Sequence, residues 1–536
     1  MKRILALALS VVMILLAFCG CGAKGNDGKQ LVIQIGPNPE TIDPALNSSV
    51  DGGNMLLFAF DCLLNIDEDN KVVEGAAEDW DVSEDGLTWT FKLRKDLKWS
   101  NGEPLTAKDF VYSWKRVADP KTAAPYGETV LGMVEGFDKA AEGDVDALAV
   151  SATDDTTFVV KLAHPCAYFD KLAAFATLSP VYQKTIEDNG DAWAISPETY
   201  VCNGPFYISE WVSGSHIVFS KNENYRDADR VKLDSIKCLL IEDANAAYTA
   251  YQNGEAHMIK DVPTAEINSL RDNKEFHIDP ILGTYYISVN TQLDKFSDAR
   301  VRKALSLAID RKYVAETLMD GTYTAAGNFI GTGVVDWDNS EFMANANEGK
   351  SYIDVDKYED NLAEAKKLLA EAGYPEGKGF PAITYSTNDA GYHKVVAQYV
   401  QEAWGKLGLN VEVEIVEWSS FTPKRRAGDY DISRNGWVCD YNDPSNMLDL
   451  LISTNGNNDG KYDNKDYDDL MAKAAAETDP ETRFGYMHQA EDLLMEDAAC
   501  IPVAYYNDFY LQSEKVTGAW HSPYGYWYFM YADIAE

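Results

Sequence analysis

Ile383-Thr-Tyr-Ser386, a helical stretch from Val395 to Lys406, and Asn410-Val-Glu-Val-Glu-Ile-Val416 read in succession as strand, helix and strand. In the last of these, apolar Val411, Val413 and Ile415 alternate with acidic Glu412 and Glu414, the period-two pattern of a half-buried strand. A helix between two strands makes a crossover, so the strands become parallel neighbours with a right-handed connection. The rest of the chain repeats the alternation. Leu31-Val-Ile-Gln-Ile35 is a strand run ending in the turn-rich Gly36-Pro-Asn-Pro39. Asp298 opens a helical pattern with Val301, Ala304, Leu305, Ala308 and Ile309 on one face, predicted to run to near Gly321. Asn361 to Ala372 carries the stripe Leu362, Ala365, Leu369 and Ala372, stopped by Gly373 and Pro375. These patterns predict an α/β protein, and 536 residues exceed one ordinary core. Two α/β lobes with a third, inserted domain are expected.

Composition narrows the function. Charged residues make up 25% and hydrophobic ones 46%, ordinary for a soluble globular chain. The net charge of −39, with no basic cluster beyond the first residues, repels phosphate backbones and anionic headgroups and argues against nucleic-acid binding. Aromatics reach 12%, with 31 Tyr and 12 Trp, enough for core and for a ring-lined cleft.

The first residues read as an address. Lys2 and Arg3 precede the uncharged run Ile4 to Phe18, and Gly20-Cys21 follows, the pattern of a lipoprotein signal cut ahead of Cys21. Residues 1–20 are then signal, 21–30 lipid anchor and flexible tether, and the mature protein sits on the extracytoplasmic face of the cell membrane. Nothing later approaches the ~20 apolar residues of a spanning helix. Six further cysteines, Cys62, Cys166, Cys202, Cys238, Cys439 and Cys500, form no C-x-x-C pair, so no zinc site is expected. Export permits disulfides, and burial as small hydrophobes serves equally well.

The chemistry concentrates between Trp418 and Pro444. Asp440 follows a short extended run, with Arg425 and Arg434 upstream, an arrangement suited to a ligand with one positive and one negative end. Each residue has a plainer alternative. Asp440 could cap the turn before Asn442-Asp-Pro444, Arg425 could be a solvated helix residue beside Lys424 and Arg426, and Trp418 could be core. The acidic run from Asp459 to Asp469 lacks EF-hand spacing and reads as a solvated loop leading into a helix from Tyr467.

The segment resembles the ligand-binding part of bacterial oligopeptide-binding proteins, the extracytoplasmic receptors of peptide-importing ABC transporters (solute-binding protein family 5). Thr41-Ile-Asp-Pro44, Trp89-Thr-Phe-Lys-Leu-Arg94 through Phe110, Tyr112-Ser-Trp-Lys-Arg116, Asn203-Gly-Pro-Phe-Tyr207, Tyr285-Tyr-Ile-Ser-Val-Asn290 and Asp298 through Arg311 extend the likeness, in order, over nearly all of the mature chain. The resemblance implies a two-lobed type II periplasmic-binding-protein fold with an extra domain. Lobe I would be 31–60, 185–283 and 503–536, the inserted domain 61–184, and lobe II 284–502. It implies ligand enclosed as the lobes close, gripped through extended backbone at Gly436, Trp437 and Val438. Asp440 matches the residue that holds a peptide α-ammonium, Arg425 and Arg434 those placed towards its carboxylate, and Trp418 and Tyr126 lining residues. Partners would be a peptide and the permease subunits, with the receptor a monomer and without cofactor, metal or catalysis. Asn47-Ser-Ser-Val50 stands where a family member can have a glutamate, so a preference for basic side chains does not carry over. Cys439 is displaced by one residue, which leaves the family's disulfide unsupported.

H-E-x-x-H and G-x-S-x-G are absent from the sequence, and His488-Gln-Ala-Glu491 offers one histidine only. A glycoside hydrolase needs only two carboxylates, which 86 acidic residues allow. A different cargo (dipeptide, sugar or nickel complex) on the same fold is the nearer alternative.

Overall fold

The computed structural model describes residues 28–39, 41–388 and 392–535, with the side chains of Trp418 and Ser419 omitted; Cys21 and the signal lie outside the described residues. The strand-helix-strand reading at 383–416 is met by strand Ile383–Asn388, helix His393–Gly405 and strand Val411–Val416. The two strands pair in parallel from Ile383 opposite Val411 to Asn388 opposite Val416. The helix buries Val396, Ala397, Val400, Ala403 and Trp404, a face of i, i+4 spacing, against the sheet.

One sheet runs through both lobes. Its order is Val411–Val416, Ile383–Asn388, Ile432–Val438, Phe276–Val289, Cys500–Gln512, Met258–Ile259, Gln30–Gln34, Ser235–Leu239, His216–Lys221, Phe206–Val212. The long strands 276–289 and 500–512 carry the chain between lobes. Their antiparallel pairing is interrupted between Pro280 opposite Asn507 and Thr284 opposite Tyr505. Proline has no N–H for the ladder, and the break leaves each lobe its own half of the ribbon. On one side Tyr510 joins a core with Leu31, Ile33, Phe58, Phe219 and Trp527; on the other Tyr285, Ile287, Ile501 and Val503 join the largest core, with Leu305 and Trp404. A third core, built on the antiparallel sheet of Ala77–Val82, Thr88–Leu93, Thr157–Lys161 and Val150–Asp154, packs Phe91, Trp99, Phe110, Trp114 and Phe158. The architecture is α/β, two lobes with a third, inserted domain.

Two local expectations change. The helix capped by Asp298 ends at Leu307, and a wider π-type turn follows over Tyr313–Leu318. Asp310 restarts the chain there: its side chain accepts from Tyr313 N while its own N–H donates to the Tyr399 hydroxyl. The acidic loop after residue 458 is not wholly solvated, because Asp459 is buried and 2.8 Å from the Arg425 Nε. All six described cysteines are buried free thiols, so among the described residues they serve as small hydrophobes.

Candidate functional site

Strand Ile432–Val438 pairs along its full length with residues 283–289 on one side. On the other side only Ile432 and Ser433 have strand partners among the described residues. Among the described residues, the backbone from Arg434 to Val438 is a sheet edge. Along it the Arg434 carbonyl accepts from Arg425 at 3.5 Å and the Gly436 N–H donates to Asn435 Oδ1 at 2.9 Å, side chains standing where a strand could. Gly436 has a packing reason as well, since a Cβ there would lie 2.1 Å from the Tyr506 hydroxyl.

Side chains alternate along this strand. Asn435 faces inward, donating to Ser288 and to Asp459, and Trp437 donates its indole N–H to Asn446 Oδ1 at 2.8 Å. The same Asn446 oxygen accepts the backbone N–H of Asp440 at 3.1 Å. One buried amide thus sets both the tryptophan and the carboxylate.

Asp440 stands where the two lobes and the inserted domain converge. Its Oδ1 accepts from the Tyr126 hydroxyl at 3.3 Å, while Oδ2 is buried with no partner among the described residues. Burial raises its pKa to about 6, against the opposing pull of Asn446 and Tyr126. Tyr126 is itself raised by burial and by the Asp440 charge. A cavity of about 110 Å3 opens beside the carboxylate, walled by Ser49, Leu56, Phe175, Val438, Tyr524 and Tyr526.

The basic end is organised differently. Arg425 is closed in, with 12% of its side chain exposed, against Asp459 and the Phe421 ring. The expectation of a guanidinium turned towards ligand is thereby altered: a buried carboxylate requires a counter-charge, and Asp459 takes this one. Arg434 has no acidic partner among the described residues. Its Nη2 donates to the Tyr506 hydroxyl at 3.3 Å, it lies over the Tyr285 ring at 5.5 Å, and its Nε is unpartnered. Beside it His393 is held neutral, its pKa pushed down to about 3 by burial and then by the Arg434 charge.

Asp440, Tyr126 and Val438 are thus brought together on one cavity, and Arg434 and Gly436 share one face of the same strand. Trp437 faces the opposite way, and the Trp418 side chain lies outside the described residues. Asn446, Tyr506, His393, Tyr524 and Tyr526 were not anticipated. The tyrosine-dense tail from Trp520 to Tyr531 was the one visible signal for the last two. A larger cavity, about 510 Å3, lies within lobe II between residues 303–307, 345–353 and 488–500, apart from all of these. Its carboxylates are partly engaged already, Asp492 by Tyr352 and Glu348 by Lys350, so the interlobe cavity is the stronger candidate despite its smaller volume.

Comparison with known proteins gives one consistent result. Residues 71–459 match the family described as bacterial extracellular solute-binding proteins, family 5 Middle. The chain is 33% identical over 529 residues to the oligopeptide-binding protein OppA of Bacillus subtilis, covering 95% of each. Among solved structures it is similar to Haemophilus influenzae OppA in complex with RPPGFSPFR, with a TM-score of 0.79, 31% identity, and 95% and 100% of the two chains covered. It is also similar to the Escherichia coli murein tripeptide binding protein MppA, with a TM-score of 0.81, 30% identity, and 95% and 99% covered.

Proposed function

From the premise that this chain belongs to the bacterial extracellular solute-binding proteins of family 5, we propose that it captures extended oligopeptides between its lobes for an ABC importer. The observation that carries the reading is the Asp440 Oδ2 atom, buried and, among the described residues, unpartnered, just beyond a strand with an edge those residues leave open. An unpaired buried carboxylate is costly, and a ligand ammonium is the group that relieves it. The edge from Arg434 to Val438 pairs with any extended backbone, so recognition is independent of side-chain sequence. Arg434, which has no acidic partner among the described residues, is the residue we assign to the peptide carboxylate. Arg425 donates to the Arg434 carbonyl and pairs with Asp459, which accepts from the neighbouring Asn435.

In this reading the protein turns nothing over. It is held on the membrane through a lipid on Cys21, works as a monomer, and passes its cargo to permease subunits. We divide it as lobe I (31–60, 185–283, 503–536), inserted domain (61–184) and lobe II (284–502). Native mass spectrometry of residues 22–536 as purified, followed by denaturation and sequencing of what is released, tests the cargo. Peptides within a narrow length band are expected; a sugar or metal complex instead would move the cargo assignment and leave the fold untouched.

A further inference from the structure

Three consecutive residues of lobe II meet the inserted domain one by one. The Tyr126 hydroxyl donates to Asp440 Oδ1. Tyr168 stacks on Tyr441 with ring centroids 4.5 Å apart and planes 10° from parallel. The Lys171 ammonium donates to the Asn442 carbonyl. Tyr441 is 6% exposed, and although it follows the lobe II strand directly it packs within the aromatic core of the inserted domain.

The other side of the inserted domain is fastened. Arg116 donates to both Asp43 oxygens, with the Trp193 indole N–H on the same carboxylate. Arg226 pairs with Asp61 at 2.6 Å, and Asn203 exchanges hydrogen bonds with the Asp61 backbone. Four largely buried charges hold the inserted domain to lobe I, and pulling any one into an unpaired state is strongly unfavourable. The inserted domain therefore travels with lobe I. When the lobes separate about the break at 280–284, the contacts that part include those to residues 440–442 and the Arg483 guanidinium over the Tyr168 ring.

We propose that Tyr168 and Lys171 form a closure latch: they engage the backbone and ring next to Asp440 only when the lobes are together. The proposal rests on the reading above, that a peptide is captured by closure. A latch contributes to every complex alike, because it forms with the protein's own loop and not with the peptide. Its loss lowers the population of the closed state and multiplies each dissociation constant by one common factor. Residues that line a side-chain pocket would change constants unequally.

Titration calorimetry of wild type, Tyr168→Leu and Lys171→Met with tri-, tetra- and penta-alanine and with RPPGFSPFR tests this. Thermal unfolding of each variant establishes that it folds, and Lys171→Met keeps the test open if Tyr168→Leu does not. For the peptides wild type binds, the expected result is weakening by roughly tenfold in Tyr168→Leu and a few-fold in Lys171→Met. The factor should be the same across peptides, with faster dissociation and a larger solution radius of the peptide-saturated protein by X-ray scattering. Unchanged constants in both folded variants overturn the latch while leaving peptide capture intact. So does a factor that changes with peptide sequence, which would make Tyr168 a ligand contact. Failure of wild type to bind any of the four would overturn the peptide reading itself, and the latch with it.

Discussion

The two ends of the strand Ile432–Val438 carry opposite charge, and the fold treats them in opposite ways. At the acid end Asp440 keeps one oxygen buried and without a partner among the described residues, and burial drives its pKa to about 6. At the basic end Arg425 is neutralised within the protein by Asp459, and Arg434 rests among tyrosine rings and hydroxyls. The acid end is left incomplete and the basic end is mostly completed from within. On the proposed assignment, a receptor built this way would hold one terminus of its ligand firmly and let the other vary, which suits cargo of variable length.

The comparison can be broken most directly at Asp440. Asp440→Ala is expected to weaken peptide binding by at least about 100-fold, the scale of truncating one member of a desolvated charge pair. The melting temperature of the empty protein should stay at or above wild type, since an unpaired buried carboxylate is removed. Calorimetry and thermal unfolding read the two effects, and unchanged affinity would end the ammonium assignment.

Arg425 should behave in the opposite sense. Arg425→Met leaves Asp459 buried without its counter-charge and should cost about 3 kcal/mol of stability, seen as a lower denaturation midpoint. Once folded, the variant should lose less affinity than Asp440→Ala. A variant as stable as wild type would mean that Asp459 has another partner.

Titration sharpens the contrast. The folded pKa of Asp440, about 6, lies above its ordinary value of 3.8, so between these pH values the folded protein binds more protons than the unfolded chain. Its contribution to the stability of the empty protein is present below pH 3.8 and is lost as pH rises through 6. Peptide binding needs the ionised carboxylate and should weaken below pH 6, by about tenfold per unit. Asp440→Asn should flatten both profiles. A binding profile flat from pH 7 to 4.5 in wild type would remove Asp440 from the site.

The smallest effect is expected at Arg434. Arg434→Met should weaken binding by roughly 3- to 10-fold, and only for peptides whose carboxylate reaches it. A uniform loss across lengths would indicate a packing role against Tyr285 instead.

Much of the fold was legible. The strands at 383–388 and 411–416 pair in parallel as the strand-helix-strand order requires, although the alternation holds only in part: Val411 is buried and Ile415 is 45% exposed. The helix from Asp298 was read too long, since periodicity shows an apolar face but not the restart at Asp310. Asp459 was read as solvent-exposed because it opens an acidic run. What buries it is Arg425, 34 positions earlier, and nothing in either local segment announces the pair. The site was legible where one segment supplies it, from Arg434 to Asp440. His393, Tyr506 and Asn446 were missed because an isolated histidine, tyrosine or asparagine carries no spacing signal.

By itself the sequence determined the α/β class, the order of the strand-helix-strand unit, and the position of one carboxylate beyond an extended run. Those depend on local periodicity and on chemistry carried by neighbouring residues. Only the tertiary structure decided which arginine is neutralised, which strand edge stays open, and that Tyr126, 314 residues before Asp440, shares its carboxylate. Burial and pairing of charges are properties of what surrounds a residue, and these surroundings are assembled from segments hundreds of positions apart.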